Sequence, residues 1–125
     1  MKDTFEELYN LTKIDRVKSP WSRRISFEGR LEELKQEVEE AIEAHKSGDI
    51  EHIKSELGDV FWDLTFLIMM AEEQKWFTYK EVMENMLEKY KRRKPWVFGT
   101  EEITIEEEEK RWAEAKKLEK QNNIK

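Results

Sequence analysis

The chain reads as all-α: an antiparallel helical bundle of four to five helices whose core is completed by dimerisation. Three observations carry this reading. Apolar residues recur at three- and four-residue spacing over long segments, and no segment shows the strict alternation of a half-buried strand. The prolines, Pro20 and Pro95, fall in breaks between those segments. Only 38% of residues are hydrophobic and 42% are charged, yet aromatic residues make up 11%. A thin core rich in aromatics fits helices that finish burying themselves against a second copy. Residues 1–125 are read as a single domain.

The first helix is predicted near Thr4 to Lys13, followed by a loop over Ile14 to Ser22. The second runs from about Ser26 to Lys46, with Leu31, Leu34, Val38, Ala41 and Ile42 as its core-facing stripe. Ser47-Gly48-Asp49 ends it and starts the next, with Gly48 suited to the left-handed position after a helix. The third helix runs from Ile50 to about Gln74 on a main stripe of Ile53, Leu57, Val60, Phe61, Leu64, Leu67, Ile68 and Ala71. Beyond Val60 it is apolar nearly all round. Phe61, Trp62, Phe66, Met69 and Met70 occupy what would be the outside, so a second side must be buried, and another subunit is the expected cover.

Thr78-Tyr79-Lys80-Glu81 has the capping-box pattern and opens a fourth helix. It carries Val82, Met86 and Leu87 and ends in a basic run, Lys89, Lys91, Arg92, Arg93 and Lys94, before Pro95. Trp96 to Gly99 reads as a turn or extended loop. Thr104-Ile105-Glu106-Glu107 is a second capping box. It opens a fifth helix that carries Trp112 and Lys116 and frays near Gln121.

Composition excludes several functions. There is no cysteine, hence no disulfide and no thiolate metal site, in keeping with a reducing cytosol. The start of the sequence lacks an apolar signal region, and the apolar stretch Leu64 to Ala71 is too short to span a bilayer. The net charge of −6 disfavours the backbone of nucleic acid. A cytoplasmic protein with no membrane and no nucleic-acid partner is expected.

Two acidic pairs stand on consecutive helices. Glu37 and Glu40 are three apart, and Glu56 and Asp59 repeat that spacing, so each pair shares a helix face. Brought together, four carboxylates repel unless a cation sits among them. Hard oxygen ligands of this kind select Mg²⁺ or Mn²⁺. The bland alternative is a solvated face, and Glu102 and Glu106 to Glu109 are read that way. Glu56, Asp59 and Asp63 resist it because they lie in the most apolar helix, where buried acids need a partner or a cation. Gly58 costs helix stability, about 1 kcal/mol against alanine; it marks either a close approach or plain tolerance. Lys89 and Arg93, one turn apart, can point together at one anion, while cations at a helix C-terminus are also ordinary. His45 and His52 flank the turn between helices two and three and read as surface residues. No Glu-x-x-His pair supports a di-iron bundle.

These motifs resemble the MazG-like members of the all-α nucleoside triphosphate pyrophosphohydrolases. Their E-x-x-E, spacer, E-x-x-D pattern reads here as Glu37, Glu40, Glu56 and Asp59. Lys89 to Gly99 with its R-R-x-P-x-V-F-G run, then Trp112 to Lys116, extend the likeness over most of the chain from Pro20. The resemblance implies a helical bundle that forms a homodimer or dimer of dimers. It implies Mg²⁺-dependent hydrolysis of a nucleoside triphosphate to the monophosphate and pyrophosphate, by water attack at the α-phosphorus. By the same resemblance the four acids are catalytic metal ligands, and Lys89, Arg93, Trp112 and Lys116 bind the substrate. Asp63 stands as an extra or outer group, and Trp21 or Trp112 as a base platform. Gln36, Ser22, Lys94 and Trp96 depart from the family pattern. Related enzymes acting on dUTP, dCTP or phosphoribosyl-ATP are the alternatives within the class. A helical interaction module with vestigial acids is the alternative outside it.

Overall fold

The computed structural model describes residues 1–125. Its elements are α1 (Lys2–Lys18), α2 (Pro20–Arg24), α3 (Phe27–Ser47), α4 (Ile50–Glu73), α5 (Tyr79–Arg93), a 3₁₀ turn (Pro95–Phe98) and α6 (Ile105–Gln121). The six helices form two compact units, Met1–Tyr79 and Lys80–Lys125. The segment Trp96 to Gly99, expected as a turn or extended loop, is largely this 3₁₀ turn.

The loop expected over Ile14 to Ser22 is instead helix with one break. Helix α1 continues to Lys18, and Ser19 takes extended angles and caps α2 by accepting from the Ser22 N–H. Pro20 sits in the first turn of α2, where its missing N–H costs nothing. The polar residues that suggested a loop serve the junction. Asp15 accepts from the Ser22 hydroxyl, and Arg16 donates to the Ser22 and Ile25 carbonyls while pairing with Glu73 of α4.

Helices α3 and α4 form an antiparallel hairpin. Ser26 caps α3 by accepting from the Gly29 N–H, and Asp49 caps α4 by accepting from the Glu51 and His52 N–H groups. Between them Gly48 adopts φ 75°, the left-handed conformation that ends α3 without a Cβ penalty. In the second unit Thr104 caps α6 through the Glu107 N–H as expected, but the Glu107 carboxylate turns to Arg111 rather than back to the cap.

The core of the first unit is Phe66, Met69 and Met70, with Tyr9, Phe27 and Trp62 packed against it. This corrects the assignment of faces on α4. Of the residues expected on the outside, Phe66, Met69 and Met70 are buried and Trp62 is partly buried, and α1 and the start of α3 cover them, while Leu67 and Ala71 of the expected stripe are buried as read. Phe5 and Tyr9 of α1 make edge-to-face contacts with Tyr79, and Tyr9 donates to Glu72. Conversely, Leu57, Phe61 and Leu64 of α4, with Leu31, Val38 and Ile42 of α3, lie exposed. Each set repeats at helical spacing and so forms an apolar stripe along its own helix.

A Cβ placed on Gly58 meets nothing within 4 Å. Gly58→Ala is therefore expected to raise stability by about 1 kcal/mol, the helix-propensity difference. Urea unfolding checks this. Loss of stability would show that the position must stay bare.

Candidate active site

The α3–α4 hairpin brings carboxylates from both helices to one place. Ligand oxygens of Glu37, Glu56 and Asp59 lie within 4.8 Å of one another. Glu40, one turn along α3, is exposed and stands outside that group, but its carboxyl shares a hydrogen bond with Glu37. Burial, then Glu40, Asp59 and Asp63, hold the Glu37 carboxyl up at about 7. The Oε2 atoms of Glu37 and Glu56 are both buried with no hydrogen-bond partner. Buried carboxylate oxygens without donors are costly. A divalent cation satisfies both of them and relieves the mutual repulsion, so the residues present fit a hard metal ion.

An open groove of about 540 Å³ beside the cluster is lined by Gln36, Glu39, Glu40, Glu43, His52 and Glu56. His52, expected as a surface residue, is half-exposed and faces the cluster, its Nε2 lying 3.3 Å from Glu56 Oε1. Asp63 lies deeper, 5% exposed, and accepts from Arg30 at 3.0 Å. Burial raises its pKa, opposed by the Arg30 bond and charge, with Glu33 and Asp59 adding to the rise. Arg30 and Glu33 are absent from the sequence expectation. Both lie on the face of α3 that also carries Glu37, but among so many charged residues that position alone does not single them out.

In the second unit Arg93, Trp112 and Lys116 meet around one ring. The Arg93 guanidinium, Lys94 Nζ and Lys116 Nζ lie 5.0, 5.2 and 6.0 Å from the Trp112 ring centre, and Tyr90 tilts against it at 5.8 Å. Lys89 stands one turn before Arg93 and is partly buried. The sequence reading missed Glu119. Its buried carboxylate accepts from Arg93 through both oxygens and from Arg92, at 2.7–3.1 Å. Those bonds, Arg93's first, hold the Glu119 carboxyl down at about 2.

Glu107 and Glu108, expected as solvated, are not free decoration. Glu107 pairs with Arg111, and Glu108 accepts from Trp96 Nε1 at 2.7 Å while lying 3.6 Å from Lys94. Lys94 and Trp96, two departures from the family pattern, thus share one carboxylate.

Fold and cluster together define an all-α protein with a carboxylate cluster that could hold a metal ion on an antiparallel helix pair. The chain belongs to the MazG nucleotide pyrophosphohydrolase domain family, which it matches over residues 26–98. It is 35% identical to a MazG-related protein from Thermotoga maritima of known crystal structure. The superposition covers 90% of this chain and 98% of that one, with a TM-score of 0.82. It is 30% identical over 107 residues to a nucleoside triphosphate pyrophosphohydrolase of Mycobacterium tuberculosis, covering 84% of this chain. It is 35% identical over 99 residues to the nucleoside triphosphate pyrophosphohydrolase/pyrophosphatase MazG of Thermotoga maritima, covering 76% of this chain. The chain spans 33% and 38% of the length of those two relatives. No helix is long and apolar enough to cross a membrane.

Proposed function

We propose that this chain is an enzyme that hydrolyses nucleoside triphosphates to the monophosphate and pyrophosphate. In this reading Mg²⁺, or Mn²⁺ in its place, is held by Glu37, Glu56 and Asp59 with Glu40 beside them. The supporting observation is the convergence of three carboxylates around buried oxygens that have no donor. When bound, such an ion neutralises phosphate charge and acidifies a coordinated water. Burial and Glu40 hold the Glu37 carboxyl up at about 7, so it would give up its proton on taking the cation, and Glu40 beside it would be the carboxylate placed to accept a proton from water attacking the α-phosphorus. Arg93, with Lys89 and Lys116, supplies cationic donors to phosphate oxygens, and Trp112 supplies a ring face.

The test is a pyrophosphate-release assay over canonical and modified nucleotides, with Mg²⁺ and after its chelation. Release of orthophosphate from the γ position, or metal-independent turnover, would overturn the reading. The same panel separates dUTP, dCTP and phosphoribosyl-ATP as substrates. Arg93→Ala is expected to lower kcat/KM by about 10- to 100-fold, the value of charge-assisted hydrogen bonds. Arg92 still satisfies Glu119 in that variant, so the helices should survive, and an unchanged kcat/KM would remove Arg93 from the site.

The exposed stripes, with Leu31 and Val38 on α3 and Leu57, Phe61 and Leu64 on α4, suit a second copy of the chain, as a homodimer or dimer of dimers. A monomer by light scattering at micromolar concentration would contradict this.

A further inference from the structure

Arg30 is a cation where a helix bundle ordinarily places a leucine. It is 3% exposed, and its guanidinium lies 3.8 Å from the Phe66 ring centre and 5.0 Å from that of Trp21. One nitrogen reaches Asp63, while Nε and the other terminal nitrogen have no hydrogen-bond partner. Buried ion pairs of this kind are weak sources of stability, because desolvation offsets their attraction. Their best-attested use is to specify register.

The positions of the pair support that use. Arg30 and Glu37 are two turns apart on α3 and share a face. Asp63 and Glu56 have the same separation on α4, in the opposite chain direction. In an antiparallel hairpin these spacings put Arg30 opposite Asp63 and Glu37 opposite Glu56, two rungs roughly 10 Å apart along the helices. Glu33 and Asp59 fall between the rungs, and both act electrostatically on Asp63. Beyond the second rung the hairpin closes at Gly48, whose left-handed turn fixes the other end. The acidic cluster therefore lies between two register devices. A slip of one turn would move Glu56 about 5.4 Å along Glu37 and leave the guanidinium without its carboxylate.

We propose that Arg30 and Asp63 are a positioning pair that sets the register of α3 against α4, and so the spacing at which Glu37 meets Glu56 and Asp59. The pair touches neither substrate nor ion. It acts through the ligands, and the inference rests on the reading of Glu37, Glu56 and Asp59 as the cation site.

The test is calorimetric titration of Mn²⁺ into the full chain, with thermal unfolding measured in parallel. Arg30→Met/Asp63→Leu replaces the pair with apolar groups of similar size and should unfold near the wild-type temperature. Its Mn²⁺ dissociation constant is expected to rise 10- to 100-fold, the usual effect of losing groups that orient metal ligands. Affinity within twofold of wild type, with an intact melting transition, would overturn the positioning role. Should that variant not fold, Arg30→Lys keeps the charge but loses the planar group stacked between two rings, and the same weakening is expected. Wild-type affinity in Arg30→Lys would then overturn the proposal. Glu56→Gln separates the two ideas. If the wild type binds no Mn²⁺, or Glu56→Gln binds it equally well, the cation site itself is wrong and the positioning role falls with it.

Discussion

Glu56→Gln and Asp59→Asn are each expected to reduce metal-dependent pyrophosphate release by at least about a hundredfold. Losing groups that merely orient a ligand already costs 10- to 100-fold, and these two residues supply candidate ligand oxygens themselves. The amide keeps the size of the side chain and removes the charge, so the helices should persist. Circular dichroism should show native helicity, and the melting temperature should hold or rise. The reason is the repulsion recorded at Glu37, whose carboxyl is raised to about 7 partly by Asp59. Neutralising Asp59 removes one of those charges. Loss of activity through a lost metal site thus comes with equal or greater stability, whereas loss through misfolding comes with less. Full activity in either variant would remove the cluster from the mechanism.

The cluster was legible because it depends on little. Two acidic pairs at helical spacing, on consecutive helices joined by Ser47-Gly48-Asp49, must face each other in some register of an antiparallel hairpin. Gly48 and Asp49 show that the turn itself was readable. The phase of α4 was not. A helix that is apolar on every side has no periodicity to say which face meets α1 and which stays open. Phe66, Met69 and Met70 were therefore assigned to the outside though they are buried, and Leu57 and Leu64 to the core though they are exposed, while Leu67 and Ala71 were placed correctly. Tyr9, which packs on that face, lay within the helix expected over Thr4 to Lys13 but had no partner that spacing could name.

Arg30 and Glu119 were illegible for a related reason. Each is an ordinary charged residue on a charged helix until a distant partner is known: Asp63 for Arg30, and Arg92 with Arg93 for Glu119. In a chain that is 42% charged, spacing cannot single out the few ion pairs that become buried.

The buried pair also predicts an asymmetry in stability. Asp63→Ala leaves a guanidinium that is almost fully buried, already short of partners at two nitrogens, and unable to shed its charge. The expected cost at neutral pH is about 3–5 kcal/mol, or roughly 10–20 °C in Tm for a chain of this size. Arg30→Met leaves a buried carboxyl instead, and a carboxyl can protonate. Burial already raises the Asp63 pKa against the lowering effect of Arg30, and losing Arg30 moves it further up. A carboxyl with a folded pKa above its unfolded value destabilises increasingly as pH rises from the unfolded pKa toward the folded one. Arg30→Met should therefore be nearly harmless below about pH 4, near the ordinary carboxylate pKa, and progressively costly above it. Asp63→Ala should show no such acid relief from the remaining guanidinium. Urea unfolding of both variants against wild type, at pH 4 and pH 7, reads the difference directly. A cost below about 1 kcal/mol for Asp63→Ala at neutral pH would mean that Glu33, which already faces Asp63, takes over the guanidinium. Register would then rest on Arg30 and a choice of acids rather than on one fixed pair.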